Sequence, residues 1–215
     1  MNRELEFGPM DSPVGRGIVR VFEGAGAIVR VGRQRENLVR TECVDGVERL
    51  VVEAQGFPNL VHEFVHAVHA GGLAEDHGFD YGRIPLDLHK PADRATLVEE
   101  LCACWISCEL LDAQLRRGAV DDRTRDAEVF AWFAEQAEIQ PVFYGDQNDL
   151  PGFVARVSGV LDHHGAETRK GIECAWSSTC DTLARAGVPR DQLVARWSDL
   201  EVAWRRFARI RGFAG

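Results

Sequence analysis

The pentapeptide His62-Glu63-Phe64-Val65-His66 holds the residues of this chain whose types and spacing best fit chemistry. On an α-helix, positions i and i+4 lie one turn apart on the same face, so both imidazoles can reach one metal ion. Glu63 stands about 100° around the helix from His62, close enough to act on a water at the metal without being a ligand. The spacing therefore predicts a metal centre with His62 and His66 as ligands and Glu63 as the catalytic residue.

The residues around this motif predict an α-helix with two different faces. Pro58-Asn59 favours a helix start, and Gly71-Gly72 favours a stop. Between them His62, His66 and His69 share one side, and apolar residues share the other: Leu60, Val61, Phe64 and Val68. This pattern is typical of a helix that packs on a core and turns a polar face to a cavity. The alternative is an amphipathic helix whose histidines simply face water.

A site with two histidines needs at least one more protein ligand. His69 is a poor candidate, because it lies about 10 Å along the helix axis from His62, whereas both would have to bind one ion at about 2.1 Å. His69 is therefore predicted to support the site from outside or to face solvent. Weaker candidate ligands follow in the next loop: Asp76, His77, Asp80 and His89.

The adjacent carboxylates Glu99 and Glu100 are better candidates for the third ligand. They lie on a predicted helix that begins with Asp93 as its cap and runs to about Arg117. Glu100 lies at the edge of the apolar stripe of this helix, whereas Glu99 points well away from the stripe. Because a ligand must face the neighbouring helix, Glu100 is preferred over Glu99. The alternative is an ordinary solvated acidic pair.

Two histidines and one carboxylate are compatible with two metals and two reaction classes. With Zn²⁺ and an open position, such a site activates water, as in a peptidase. With Fe(II), the same donors form a facial triad that leaves positions open for O₂ and substrate. Local spacing alone favours zinc.

The wider sequence resembles the elongation factor P hydroxylase family. The resemblance consists of the lead-in Ala54-Gln55-Gly56-Phe57, the His-Glu-x-x-His helix, the closing Ala70-Gly71 and the aromatic loop Phe79-Asp80-Tyr81-Gly82. These motifs lie between about residues 48 and 108. The chain departs from the family in lacking further aromatic residues after Gly82, and a Pro-Gln-containing stretch expected near the third ligand reads Leu101-Cys102-Ala103-Cys104.

This resemblance implies a zincin-like α+β fold and a mononuclear non-heme iron hydroxylase, an oxidoreductase that modifies a lysine-like, amine-bearing side chain or small molecule. It implies Fe(II) as cofactor, His62 and His66 as ligands, Glu63 as an acid or base, and an acidic ligand at Glu99 or Glu100. More distantly, the motif is similar to that of gluzincin-type metallopeptidases. A zinc-dependent hydrolase is therefore the alternative function.

The remaining pattern predicts a small N-terminal sheet and a mostly helical C-terminal half. A helix is expected near residues 14–24 and strands at about 27–32, 38–43 and 48–54, with Asp45-Gly46 as a hairpin turn. Further helices are expected at about 125–138, 150–163, 167–186 and 189–210. The whole chain, 1–215, is predicted to be one metalloenzyme domain. Its parts are a helix and sheet (1–57), metal-binding helices (58–117) and a helical part (118–215).

The long loop at about residues 71–92 is predicted to cover the site, because long loops within compact domains usually serve a function. His77 and Tyr81 are predicted to bind substrate there, and Asp76 and Asp80 are further candidates to line the pocket. The alternative is an exposed connector.

Composition limits the classes of partner. The formal net charge of −9 argues against nucleic acid binding and agrees with a cationic protein side chain or small molecule as substrate. No stretch has the roughly 20 apolar residues of a membrane span, and the first residues lack the apolar core of a secretory signal. A cytoplasmic protein without membrane attachment is expected. Its six cysteines are predicted to be buried thiols.

Overall fold

The structure, a computed structural model, describes residues 9–32 and 38–193. These ranges contain five α-helices and a three-stranded sheet, so the predicted α+β class is confirmed. In chain order the elements are α1 (Pro13–Gly24), β1 (Ile28–Val31), β2 (Leu38–Val44), β3 (Val47–Ala54), α2 (Phe57–His69), α3 (Pro91–Arg117), α4 (Asp122–Ile139) and α5 (Leu150–Arg185).

Helix α1 begins where Ser12 caps it, since the Ser12 side chain accepts a hydrogen bond from the Gly15 backbone N–H. Val14, Ile18 and Phe22 recur at four-residue spacing and are fully buried. Phe22 meets Phe64 of α2 edge to face, with ring centroids 5.7 Å apart. The predicted helix near residues 14–24 is confirmed, and it forms one wall behind the motif helix.

The sheet has the order β1-β3-β2, with β1 parallel and β2 antiparallel to the central β3. The hairpin between β2 and β3 turns at Asp45 and Gly46, which have φ of 52° and 78°. Two successive positive φ values are what a two-residue hairpin turn needs, which explains the Asp-Gly pair. The three predicted strands and this turn are confirmed, and β3 leads directly into α2.

Helix α2 carries the motif and is packed on several sides. It contacts α1, α3 and α5, and its residues Leu60, Val61 and Phe64 are fully buried. Gly71 follows its end with φ of 75°, a left-handed conformation that favours glycine and ends the helix. This packing fixes the direction of the histidine face, which is turned towards α3.

Helix α3 runs through the centre of the helical part and packs on α2, α4 and α5. The prediction that Asp93 caps it is wrong, because Lys90 occupies the cap position and Asp93 lies in the first turn. The Asp93 carboxylate instead accepts a hydrogen bond from the Asp87 N–H (2.9 Å) and pairs with Arg83. Asp93 thus ties the preceding loop to the helix, a tertiary role that its position after Pro91 does not reveal.

The C-terminal part is helical within the described residues, as predicted. The helices predicted at 150–163 and 167–186 correspond to the two segments of α5, which meet at a kink at His164 (φ −120°, ψ 15°). Both segments bury residues, for example Val160 before the kink and Ile172 after it, so both pack on the core. Of the helix predicted at 189–210, the structure describes only the start, a short 3₁₀ turn at Arg190–Leu193; the rest lies outside the described residues.

All six cysteines are free thiols. Cys102, Cys104 and Cys108 are buried on α3 as predicted, but Cys43 and Cys174 are exposed, so the prediction of six buried thiols is wrong. Cys43 lies on the edge strand β2 and Cys174 on an outward face of α5.

Within the part of the chain that the structure describes, no helix combines the length and apolar character of a membrane span.

Candidate metal centre

Two helices bring three metal-ligating side chains together. The Nε2 atoms of His62 and His66 on α2 lie 3.1 Å apart. Glu100 on α3 faces both, with one oxygen 3.6 Å from His62 Nε2 and the other 3.5 Å from His66 Nε2. Two donors that bind one ion tetrahedrally at about 2.1 Å lie about 3.4 Å from each other, so these spacings fit a single ion.

This cluster is the one group of three or more such side chains that the described residues bring within 4.8 Å. The weaker candidates from the sequence, His69, Asp76, His77, Asp80 and His89, are not part of it. Glu100 is also largely buried, with 20% of its side chain exposed. The alternative of a solvated acidic pair is therefore wrong for Glu100.

Two further side chains hold the cluster from outside. Glu99 Oε1 lies 3.0 Å from His66 Nδ1, the ring nitrogen opposite the one that faces His62. Gln140, just after α4, donates a hydrogen bond from Nε2 to Glu100 Oε2 at 2.8 Å. Glu99 does point away from the cluster's centre, but it contacts a proposed ligand, a role that sequence reasoning missed. Such carboxylate–histidine contacts orient metal-binding imidazoles in known proteins.

Glu63 is hydrogen-bonded to His77, with 2.7 Å between Glu63 Oε2 and His77 Nε2. The His77 ring also stacks on His66, with ring centroids 5.1 Å apart. A tight turn places His77 next to Glu63. In this turn Asp76 and His77 both have left-handed backbone conformations, with φ of 43° and 52°. Non-glycine residues rarely adopt this conformation, and such strain is concentrated at functional sites. The turn thus adds an imidazole beside the motif helix.

A cavity of about 580 Å³ opens over the cluster. The predicted loop residues Asp76, His77, Asp80 and Tyr81 all line it, although much of this loop is exposed. His69 and His89 do not line it. Other walls come from β2, α3, α4 and the 3₁₀ turn Gln140–Tyr144, and the lining residues there include Leu38, Val39, Trp132, Glu135, Ile139 and Phe143.

The two histidines have opposite protonation behaviour. Burial and the neighbouring His66 lower the pKa of His62 to about 4. Burial also acts to lower the pKa of His66, but the Glu100 and Glu99 carboxylates outweigh it and raise that pKa to about 10. Burial acts to raise the pKa of Glu100, yet His66 and His62 together bring it to about 2. The donor set therefore has a neutral imidazole, a charged imidazole and a carboxylate at neutral pH.

The pKa of Glu63 is lowered as well. Burial acts to raise it, but the hydrogen bond from His77 and the nearby His62 outweigh burial. Glu63 is therefore a carboxylate at neutral pH that already accepts one hydrogen bond. It has the protonation state that an acceptor of protons needs.

Several residues of the site come from far along the chain and were missed by sequence reasoning. Gln140, Trp132 and Glu135 lie on or just after α4, beyond any motif. A usable signal is the pair Gln136 and Gln140, amides at helical spacing that are buried among apolar neighbours. Buried amides need partners, so this spacing marks a polar contact inside the fold.

Comparison with models of known protein families, with curated proteins and with solved structures gives no match for the chain. The resemblance to the elongation factor P hydroxylase family thus rests on the short motifs alone, and the zincin-like fold stays a prediction. What the geometry adds is a possible His62–His66–Glu100 metal site in an α+β protein.

Proposed function

We propose that this chain is a metal-dependent enzyme, a mononuclear non-heme iron hydroxylase in which His62, His66 and Glu100 bind Fe(II). The observation that carries the proposal is the convergence of two imidazole nitrogens and one carboxylate at the wall of a cavity. A set of two histidines and one carboxylate leaves several positions of the ion open. Bound Fe(II) would supply the activation of O₂ at those positions.

The protein's own groups would orient the ligands and manage protons. Glu99 holds His66 through Nδ1, and Gln140 holds Glu100 through one oxygen. Glu63 and His77 form a hydrogen-bonded pair at the cavity wall, where Glu63 accepts a proton from, or His77 donates one to, a bound substrate. The surrounding helices leave these side chains only partly open to the cavity, with 29% of the Glu99 side chain and 20% of the Glu100 side chain exposed.

The lining of the cavity favours a substrate with a positive charge, such as a lysine-like side chain or a small amine. Asp76, Asp80 and Glu135 contribute carboxylates. Arg83 is the one Lys or Arg among the described lining residues, and it is paired with Asp93. An acidic cavity attracts cations and raises their local concentration. His77 and Tyr81 are the proposed substrate-binding residues, with Tyr81 55% exposed.

A zinc-dependent hydrolase of the gluzincin type is the second candidate. The observation in its favour is the pair Glu63–His77 beside the cluster, because a carboxylate that takes a proton from water and an imidazole that stabilises an oxyanion are both needed there. In this case bound zinc would supply the Lewis acid, and the ligands would be unchanged. The two candidates share one site and differ in the metal.

The experiment is metal analysis of protein purified anaerobically without added metal, followed by measurement of O₂ consumption by the iron-loaded form. Lysine-containing peptides and aliphatic amines serve as candidate substrates, with a reductant supplied. Near-stoichiometric iron and O₂ uptake that depends on an amine support the hydroxylase. Zinc in the purified protein, with an iron-loaded form that consumes no O₂, moves the assignment to the hydrolase.

Glu63→Gln separates the two candidates by mechanism. A hydrolase that uses Glu63 as its base loses nearly all activity, because an amide cannot accept the proton. A hydroxylase keeps part of its activity, since Glu63 acts on the substrate's protons and not on the oxidant. Glu128→Gln is the matched control, because it makes the same change at an exposed position of α4 that does not line the cavity.

A further inference from the structure

We propose that Trp132 is a positioning residue of the metal centre: its indole face receives the Nδ1–H of His62 and holds that imidazole with Nε2 turned towards the metal. This inference rests on the proposed function in one respect only, that His62 is a ligand. It concerns the protein's own residues and applies to either metal.

The need for such a residue comes from the outer nitrogen of His62. Among the described residues, His62 Nδ1 is buried without a hydrogen-bond partner. The same atom of His66 has the Glu99 carboxylate at 3.0 Å. A metal-binding histidine nearly always donates its second N–H to an acceptor, and a buried N–H without one is costly. The N–H of His62 therefore needs an acceptor, and no carboxylate or carbonyl of the described residues bonds to it.

The indole of Trp132 lies next to the His62 ring, and we infer that it is this acceptor. The His62 and Trp132 ring centroids lie 6.0 Å apart, and the ring planes are nearly perpendicular at 85°. Perpendicular rings set the edge of one against the face of the other, and the face of an aromatic ring is its negative side. Because Nε2 of His62 faces His66 and Glu100, Nδ1 lies on the opposite part of the ring. An N–H directed at an aromatic face is a weak but directional hydrogen bond.

The indole is itself held in place by the neighbouring helix. Trp132 is 5% exposed, and its Nε1–H donates to Ser107 Oγ at 2.7 Å. Ser107 is fully buried on α3, and its hydroxyl lies 2.7 Å and 2.8 Å from the backbone oxygens of Ala103 and Cys104, to which it donates. Contacts thus run from Ser107 on α3 through Trp132 on α4 to His62 on α2. This arrangement places a rigid aromatic face behind one ligand.

The test uses ¹⁵N-labelled protein loaded with zinc alone, which is diamagnetic. With Nε2 bound to zinc, the ring proton of His62 must be on Nδ1. Above an indole face the ring current shifts that proton upfield, and burial slows its exchange with water. We expect an upfield, slowly exchanging His62 Nδ1 proton in the wild type and in Trp132→Phe, which keeps an aromatic face. In Trp132→Leu we expect the proton to move downfield, with zinc bound roughly 10- to 100-fold more weakly.

Trp105→Leu is the matched control for loss of packing. Trp105 is equally buried, at 4% exposed, but it does not line the cavity. Its replacement lowers stability by leaving a similar void, and should leave the His62 proton shift and zinc affinity unchanged.

Two results overturn the proposal, and they are distinguishable. If the wild type binds zinc but its His62 Nδ1 proton is unshifted, or is the same in Trp132→Leu, the positioning role of Trp132 is wrong while the metal centre stands. If the wild type binds no zinc, the metal centre and the positioning role are wrong together.

Discussion

His62 and His66 lie one turn apart on the same helix, yet the outer nitrogens of their rings meet opposite surroundings. His66 Nδ1 faces a carboxylate, Glu99, whereas His62 Nδ1 has no hydrogen-bond partner among the described residues and its ring meets the indole of Trp132. The pKa values of the two rings differ as well: that of His66 is raised to about 10 by Glu100 and Glu99 in spite of burial, and that of His62 is lowered to about 4 by burial and by His66.

This difference suggests a division of roles between the two proposed ligands. His62 is neutral at pH 7 and offers a lone pair without losing a proton. His66 is charged at pH 7. When no metal is bound, its positive charge balances the negative charge of Glu100 beside the two facing imidazoles. A metal ion bound by these groups would replace the proton of His66 and would keep a positive charge between them.

Replacing Glu100 should have the largest effect on this arrangement. Glu100→Gln removes a proposed ligand and the carboxylate charge that both imidazoles face. We expect zinc to bind more weakly by a factor well beyond the roughly 100-fold limit typical of residues outside the ligand set. Isothermal titration calorimetry with zinc alone measures this. A change no larger than that in Glu99→Gln would show that Glu100 is not a ligand.

Replacing Glu99 tests the carboxylate side of the comparison. Glu99→Gln keeps the shape of the side chain but removes the charge next to His66 Nδ1. We expect zinc affinity to fall by about 10- to 100-fold, because His66 loses the group that orients it and makes it more basic. Glu135→Gln is the control, since Glu135 lines the cavity without a bond to either histidine in the structure. Equal losses in both variants would assign the effect to the general charge of the cavity.

The pH dependence of metal binding follows from the same difference. His62 with a pKa of about 4 and Glu100 with a pKa of about 2 are already deprotonated at pH 7, whereas His66 with a pKa of about 10 is protonated. Zinc must therefore displace about one proton, and its apparent affinity should rise about tenfold per pH unit between pH 7 and 9. Calorimetry in buffers of different ionisation enthalpy counts the released proton. Binding without proton release in this range would contradict the account of His66.

The smallest effect is expected on the aromatic side of the comparison. Ser107→Ala removes the acceptor of the Trp132 indole N–H and leaves it buried. We expect a loss of about 1 kcal/mol in the free energy of unfolding of the metal-free protein, since a buried donor becomes unsatisfied. Zinc affinity should fall only slightly, because packing still keeps Trp132 near His62. Thermal denaturation and zinc titration of the same variant check both parts, and a loss of affinity as large as in Glu99→Gln would contradict them.

The parts of the site that lie within one helix were predictable from the sequence. Spacing alone placed His62 and His66 on one face of α2, and helical periodicity turned Glu100 rather than Glu99 towards them. The fold class and the Asp45-Gly46 hairpin were predictable for the same reason, because they depend on short-range propensity.

Contacts between distant elements were not predictable in this way. The bonds of Glu99 to His66, of His77 to Glu63 and of Gln140 to Glu100 depend on how helices and loop pack, which no local pattern encodes. The same limit explains why Asp93 was assigned to a helix cap, although it binds the loop through Arg83 and the Asp87 N–H. Local rules assign a polar residue to its nearest backbone partner, and tertiary packing can offer a better one.

The most direct test of the metal centre is a crystal structure of zinc- or iron-loaded protein with diffraction data collected on both sides of the metal's absorption edge. We predict one anomalous peak at about 2.0–2.2 Å from His62 Nε2, His66 Nε2 and a Glu100 oxygen, with its remaining positions facing the cavity. A structure without a peak there, or with the ion held by Glu63 and His77, would contradict the assignment of His62, His66 and Glu100 as the ligands.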